Sequence, residues 1–147
     1  MSGRSTKSEI TELLKVIFET EFIIPISVNR YDVGAQRGGR VFVSQSQPSR
    51  TSKGHWKYEF FHTITEKVIE EVMDGSGVLV LINYVDRLYV ALSPSDISWS
   101  VRHSSRVKGK DLEQVTDFVI ERSGDRHLLR PYDRYSRFRR QVKVQRF

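Results

Sequence analysis

The chain has no cysteine among its 147 residues. That excludes a disulfide framework, a thiolate zinc site and a cysteine nucleophile, and it fits a reducing compartment. Long hydrophobic stretches are missing too. Apolar runs reach five residues, as at 78–82, far short of the roughly 20 that a membrane helix needs. The first eight residues are polar and are followed by no apolar secretory core. The expectation is an intracellular, cytoplasmic protein without a membrane partner. Histidine is scarce, and His55, His62, His103 and His127 show neither HxH nor HExxH spacing, so no zinc pattern emerges. Neither a P-loop nor a GxSxG elbow occurs; the stretch 34–39 lacks the Lys-Ser/Thr that would hold a nucleotide phosphate.

What is present suits one packed domain. A hydrophobic share of 38% and an aromatic share of 11% supply a core, and 29% charged residues cover it. The chain divides into a flexible N-terminus at 1–7, an α/β core at 8–129 and a basic, aromatic arm at 130–147. The arm carries seven basic residues (Arg130, Arg134, Arg137, Arg139, Arg140, Lys143 and Arg146) against Asp133 alone. The net charge of +6 therefore sits almost wholly in the arm, and the rest of the chain is close to neutral. Arginine forks match phosphate, and the interleaved Tyr132, Tyr135, Phe138 and Phe147 offer stacking surfaces, so nucleic acid is the expected partner. A solvated tail, or an arm docked on the body or on a second subunit, is the alternative. Arg50, Lys53 and Lys57 form a smaller basic patch; Arg102, Arg106, Lys108 and Lys110 form a third. Trp56 and Trp99 read as core anchors rather than base-stacking platforms.

Periodicity gives the order of elements. Thr6-x-x-Glu9 has capping-box spacing, and Ile10, Leu13, Leu14, Ile17 and Phe18 then form one helical face. Residues 22–29 read as a strand, with Pro25 marking a bend or an edge. Residues 30–36 and 40–47 read as a hairpin about Gly38-Gly39, and 55–61 as another extended stretch. Thr63-x-x-Glu66 opens a second helix with Val68, Ile69 and Val72 inward. The run 78–82 reads as a strand buried on both faces, followed by 87–92 and a break at Ser93-Pro94-Ser95-Asp96. Asp111-x-x-Gln114 is predicted to cap a third helix bearing Leu112, Val115, Phe118 and Val119, and 126–130 a final strand. A central mixed sheet flanked by helices is the natural packing.

Within this order, Tyr31-Asp32-Val33 and Val41-Phe42-Val43-Ser44-Gln45-Ser46-Gln47 resemble the two motif strands of the PD-(D/E)XK nuclease superfamily. The resemblance covers about residues 8–96. It implies a restriction-endonuclease-like core and a metal-dependent DNA endonuclease. Asp32 would be the acidic metal ligand, Gln45 would stand at the Glu/Gln position, Gln47 at the lysine position, and Glu12 or Glu9 would be the helix-borne acid. Asp32 and Gln45 would then hold Mg2+. Arg50, Lys53, Lys57, Arg134, Arg137, Arg139, Arg140 and Lys143 would track duplex DNA, and a homodimer or a higher even-numbered oligomer would cut both strands. Gln47 departs from the pattern, because an amide can neither supply a positive charge nor give up a proton. Natural loss of catalysis, a substitution at 47, or a cation reaching in from Lys53, Lys57 or Lys67 each fit the sequence. A non-catalytic DNA- or RNA-binding reader, or a structural protein with a basic interaction arm, fits as well.

Overall fold

A computed structural model describes residues 3–34, 39–50, 57–104, 107–108, 114–131 and 136–147. Helix α1 (Lys7–Phe18) starts where the capping box places it. Thr6 Oγ1 accepts from the Glu9 amide, and the Glu9 carboxylate accepts from the Thr6 amide. An antiparallel meander follows: β1 (Ile23–Ser27), β2 (Arg30–Val33) and β3 (Gly39–Ser46). β1 is an edge strand, and its register shifts just after Pro25, which lacks an amide to donate.

The short strands β4 (Ser49–Arg50) and β5 (Lys57–Tyr58) pair with each other, and β6 (Phe60–Thr65) leads into α2 (Glu66–Asp74). Thr65, not Thr63, caps α2, because β6 runs on through Thr63 to Thr65. After α2 the chain passes so close to β3 that a Cβ on Gly77 would lie 1.8 Å from the Arg40 carbonyl oxygen. It enters β7 (Val78–Asn83) parallel to β3, and β8 (Leu88–Leu92) returns antiparallel beside it.

Two predicted elements differ from what forms. Ser93-Pro94-Ser95-Asp96 starts a helix, α3 (Pro94–His103), rather than only ending a strand. Ser93 and Asp96 cap each other reciprocally, and Pro94 occupies the first turn, where its missing amide costs nothing. Residues 114–123 form a strand, β10 (Gln114–Ser123), not a helix. Every residue from Val115 to Ile120 is buried, so the i, i+3, i+4 spacing was one facet of a continuous, β-branched run. Residues 111–113 of the predicted cap lie outside the described residues.

β9 (Val107–Lys108), β6 and β11 (Arg126–Arg130) all pair with β10, and β12 (Arg140–Val142) extends that sheet from β11. β13 (Gln145–Arg146) instead joins β8 at the edge of the central sheet, whose order is β1-β2-β3-β7-β8-β13.

The layers follow from β7. Val80 and Ile82 pack under α1 with Tyr31, Val41 and Val43. Leu79 and Leu81 pack on the opposite side with α2, Ile97 of α3, and Phe60, Phe118 and Leu129 of the second sheet. The protein is thus α/β, with a mixed central sheet and helices on both faces. Among the described residues no helix is long and apolar enough to cross a membrane.

Asp96 serves α3 twice, because its other carboxylate oxygen accepts from Arg140 Nε at 2.7 Å. Asp96→Ala should therefore cost about 1–2 kcal/mol in chemical denaturation. Asp96→Asn, which can still accept from Ser93, should cost less.

Candidate nucleic-acid interface

The residues expected to share a metal do not meet. Asp32 lies directly across from Arg40 at the hairpin end of β3, and Gln45 lies five residues further along, roughly 17 Å away. The two also leave opposite faces. Asp32 shares the Arg40–Phe42 side that looks toward α2, whereas Gln45 shares the Val41–Val43 side beneath α1. Gln47 follows the end of β3 and is exposed. Glu12 is ion-paired with Lys15 at 3.1 Å on the outside of α1, and Glu9 caps that helix and reaches Arg87. The donor set therefore does not fit Mg2+. Among the described residues no group of three or more acids or histidines gathers to hold a metal.

Each expected ligand has a structural role instead. Arg40 Nε donates to Asp32 at 2.7 Å and Nη1 to Glu71 at 2.6 Å, while Arg30 Nε donates to Glu71 at 2.9 Å. This quartet bolts the β2–β3 hairpin to α2. Hydrogen bonding from Arg30 holds the Glu71 carboxyl below its ordinary range. Gln45 holds both backbone polar groups of Ser5: its Oε1 accepts from the Ser5 amide at 2.7 Å, and its Nε2 donates to the Ser5 carbonyl at 3.0 Å. The N-terminal segment, expected to be loose, is thus docked from Ser5, which is buried.

That docking closes one side of a groove of about 780 Å³. Its walls are the N-terminal segment and first turn of α1, the β1–β2 turn, the Ser44–Gln45 stretch of β3, and the end of β6 leading into α2. Arg4 and Lys7 face it, and among the described residues no carboxylate lines it. Tyr31 and Ser5 also line it, and their hydroxyls are buried with no hydrogen-bond partner among the described residues. A buried hydroxyl left unpaired costs about 1–3 kcal/mol. Sequence reasoning missed this groove because Arg4 and Lys7 are far in sequence from the basic runs.

The arm is not a free tail. Through β12 and β13 it stitches the second sheet to the central one. Arg139 pairs with Glu121 at 2.7 Å, Arg130 with the same carboxylate at 3.4 Å, and Arg140 with Asp96. Phe147 lies under the Arg87 guanidinium, 4.3 Å from ring to cation, and edge-on to Tyr89. Arg137, Lys143 and Arg146 stay exposed. Arg134 and Lys53 lie outside the described residues, as does Trp56, and the side chains of Arg50 and Lys57 are likewise undescribed.

The chain matches no family model, no curated protein and no solved structure.

One pair has the look of catalytic chemistry. Ser44 Oγ lies 2.9 Å from His62 Nδ1, beside the groove. Yet His62 is almost wholly buried, its Nε2 meets no partner among the described residues, and burial pushes its pKa down to about 3. A base that weak takes little of a serine proton at neutral pH. Ser44 serves to satisfy a neutral core imidazole.

The same burial makes stability depend on pH. Between the ordinary histidine pKa of 6.5 and about 3, the unfolded chain binds a proton that the folded chain refuses, so stability falls as pH falls. Going from pH 6.5 to 5 should remove about 2 kcal/mol. In His62→Gln, followed by chemical denaturation, that part of the slope should vanish. An unchanged slope would contradict the buried neutral histidine.

Proposed function

We propose that the protein binds nucleic acid without cutting it, on an α/β core laid out like that of the PD-(D/E)XK nucleases. The observation that carries the binding is the cation surplus left after folding. The arm's Arg130, Arg139 and Arg140 find carboxylates, while Arg137, Lys143 and Arg146 remain in solvent on a chain of net charge +6. Such charges meet phosphates and release counterions, which favours association with any sequence. Duplex DNA is the partner that the resemblance implies.

The succession of elements supports the nuclease-like layout. A helix precedes an antiparallel meander, α2 follows, and β7 returns parallel to β3. The separation of Asp32 from Gln45 argues against hydrolysis. So does the engagement of Asp32 by Arg40. Replacing Gln47 by lysine would not cure either.

Binding to a labelled duplex should weaken linearly on a plot of log affinity against log salt. Reversing Arg137, Lys143 and Arg146 to glutamate should flatten that slope by about 2 to 3. A salt-insensitive interaction, or no binding at low ionic strength, would remove this reading. Supercoiled DNA incubated with Mg2+ or Mn2+ should stay intact with the natural chain and with Gln47→Lys. Nicking by either would restore the enzyme.

A further inference from the structure

The geometry points to the groove beside Ser5 as a seat for the 5′-phosphomonoester of a nucleotide, an inference that rests on the nucleic-acid reading and makes it specific for strand ends. Four observations converge. Arg4 and Lys7 bring two cations to a groove that, among the described residues, no carboxylate lines, and neither is paired with a carboxylate among them. The first turns of both α1 and α2 border it, each with the positive pole of its helix dipole, although Glu9 and Glu66 in those turns already offset part of that charge. The Tyr31 hydroxyl, on a side chain with no exposed surface, is left without a partner at its wall, and so is that of Ser5. Lastly, the groove's volume of about 780 Å³ suits one nucleotide rather than a duplex.

The charge argument selects the chain end over its middle. An internal phosphodiester carries one negative charge, whereas a phosphomonoester near neutral pH carries roughly 1.5 to 2 and offers three acceptor oxygens. Two cations, with no carboxylate lining the groove among the described residues, favour the more highly charged group. The unpaired hydroxyls of Tyr31 and Ser5 at the groove wall are the donors assigned to it. Apolar side chains beside them, Val28 of the β1–β2 turn and Val68 of α2, give the sugar and base a dry surface.

Three probes test this at matched salt: a single-stranded oligonucleotide with a 5′-phosphate, the same strand with a 5′-hydroxyl, and free adenosine 5′-monophosphate. The phosphorylated strand should bind about tenfold more tightly than the hydroxyl strand, and the mononucleotide should compete that difference away. Arg4→Gln with Lys7→Gln should abolish the difference. Tyr31→Phe, which removes only the unpaired hydroxyl, should reduce the difference without lowering the melting temperature of the free protein. A merely structural Tyr31 would leave binding unmoved. Equal affinity for both strands, with no competition from the mononucleotide, would overturn the seat and leave the nucleic-acid reading standing. Mononucleotide binding that the Arg4/Lys7 variant loses, with neither strand bound, would support the seat and overturn the nucleic-acid reading.

Discussion

The parallel pairing of β3 with β7 is the constraint from which the rest of the molecule follows. The inward side chains of β7 alternate between two cores, Val80 and Ile82 under α1, Leu79 and Leu81 under α2 and the second sheet. Each fully buried aliphatic side chain contributes about 1.5–3 kcal/mol, so neither face can be left to water. A parallel neighbour cannot be reached by a tight turn. The chain must cross over between β3 and β7, and α2 lies on that crossing. The pleat then commits every side chain of β3 to one face or the other. Arg40, Phe42 and Ser44 look toward α2; Val41, Val43 and Gln45 look toward α1.

That commitment explains what could be read from the sequence and what could not. The capping box at Thr6, the buried run at 78–82 and the hairpin expected about Gly38-Gly39 are local signals; α1 and β7 formed where expected, and β2 pairs antiparallel with β3. Spacing between motif residues is not local in this sense. Asp32 and Gln45 are thirteen residues apart, a number that a hairpin can span in several registers, and the register decides whether they meet. With Asp32 set against Arg40, they cannot. The strand at β10 misled for a related reason. A segment buried on both faces has no polar side to betray its period, and three apolar residues at helical spacing can be picked out of any continuous run. At Ser93-Pro94-Ser95-Asp96 the residues that break a strand are also those that start a helix, and only the following sequence distinguishes the two.

Charge follows a similar division. Read along the sequence, the arm is a block of seven cations with Asp133 as its one acidic counterpart. Folded, it lies between acidic residues far away in the chain, Glu121 and Asp96, and its two short strands tie separate sheets together. Arg139 and Arg140 thus contribute to holding the C-terminal segment in place, and a ligand must work with the cations that folding leaves over. Half-exposed pairs of this kind are each worth little, about 1 kcal/mol or less. The backbone pairing of β12 and β13 carries more of the attachment than the charges do.

Gln45 connects strand β3 to the proposed phosphate seat. Its amide meets the Ser5 peptide with one donor and one acceptor, in the manner of a strand neighbour. A glutamate at that position would keep the bond from the Ser5 amide but would set a carboxylate oxygen against the Ser5 carbonyl, two acceptors with no proton between them. Glutamine therefore belongs to a β3 that docks the N-terminal segment, and docking is what brings Arg4 and Lys7 to the groove. A carboxylate at 45 would also place a negative charge in the wall of a groove that no carboxylate lines among the described residues. The requirements of a metal ligand and of an anion seat are opposed at this one side chain, and the amide satisfies only the second.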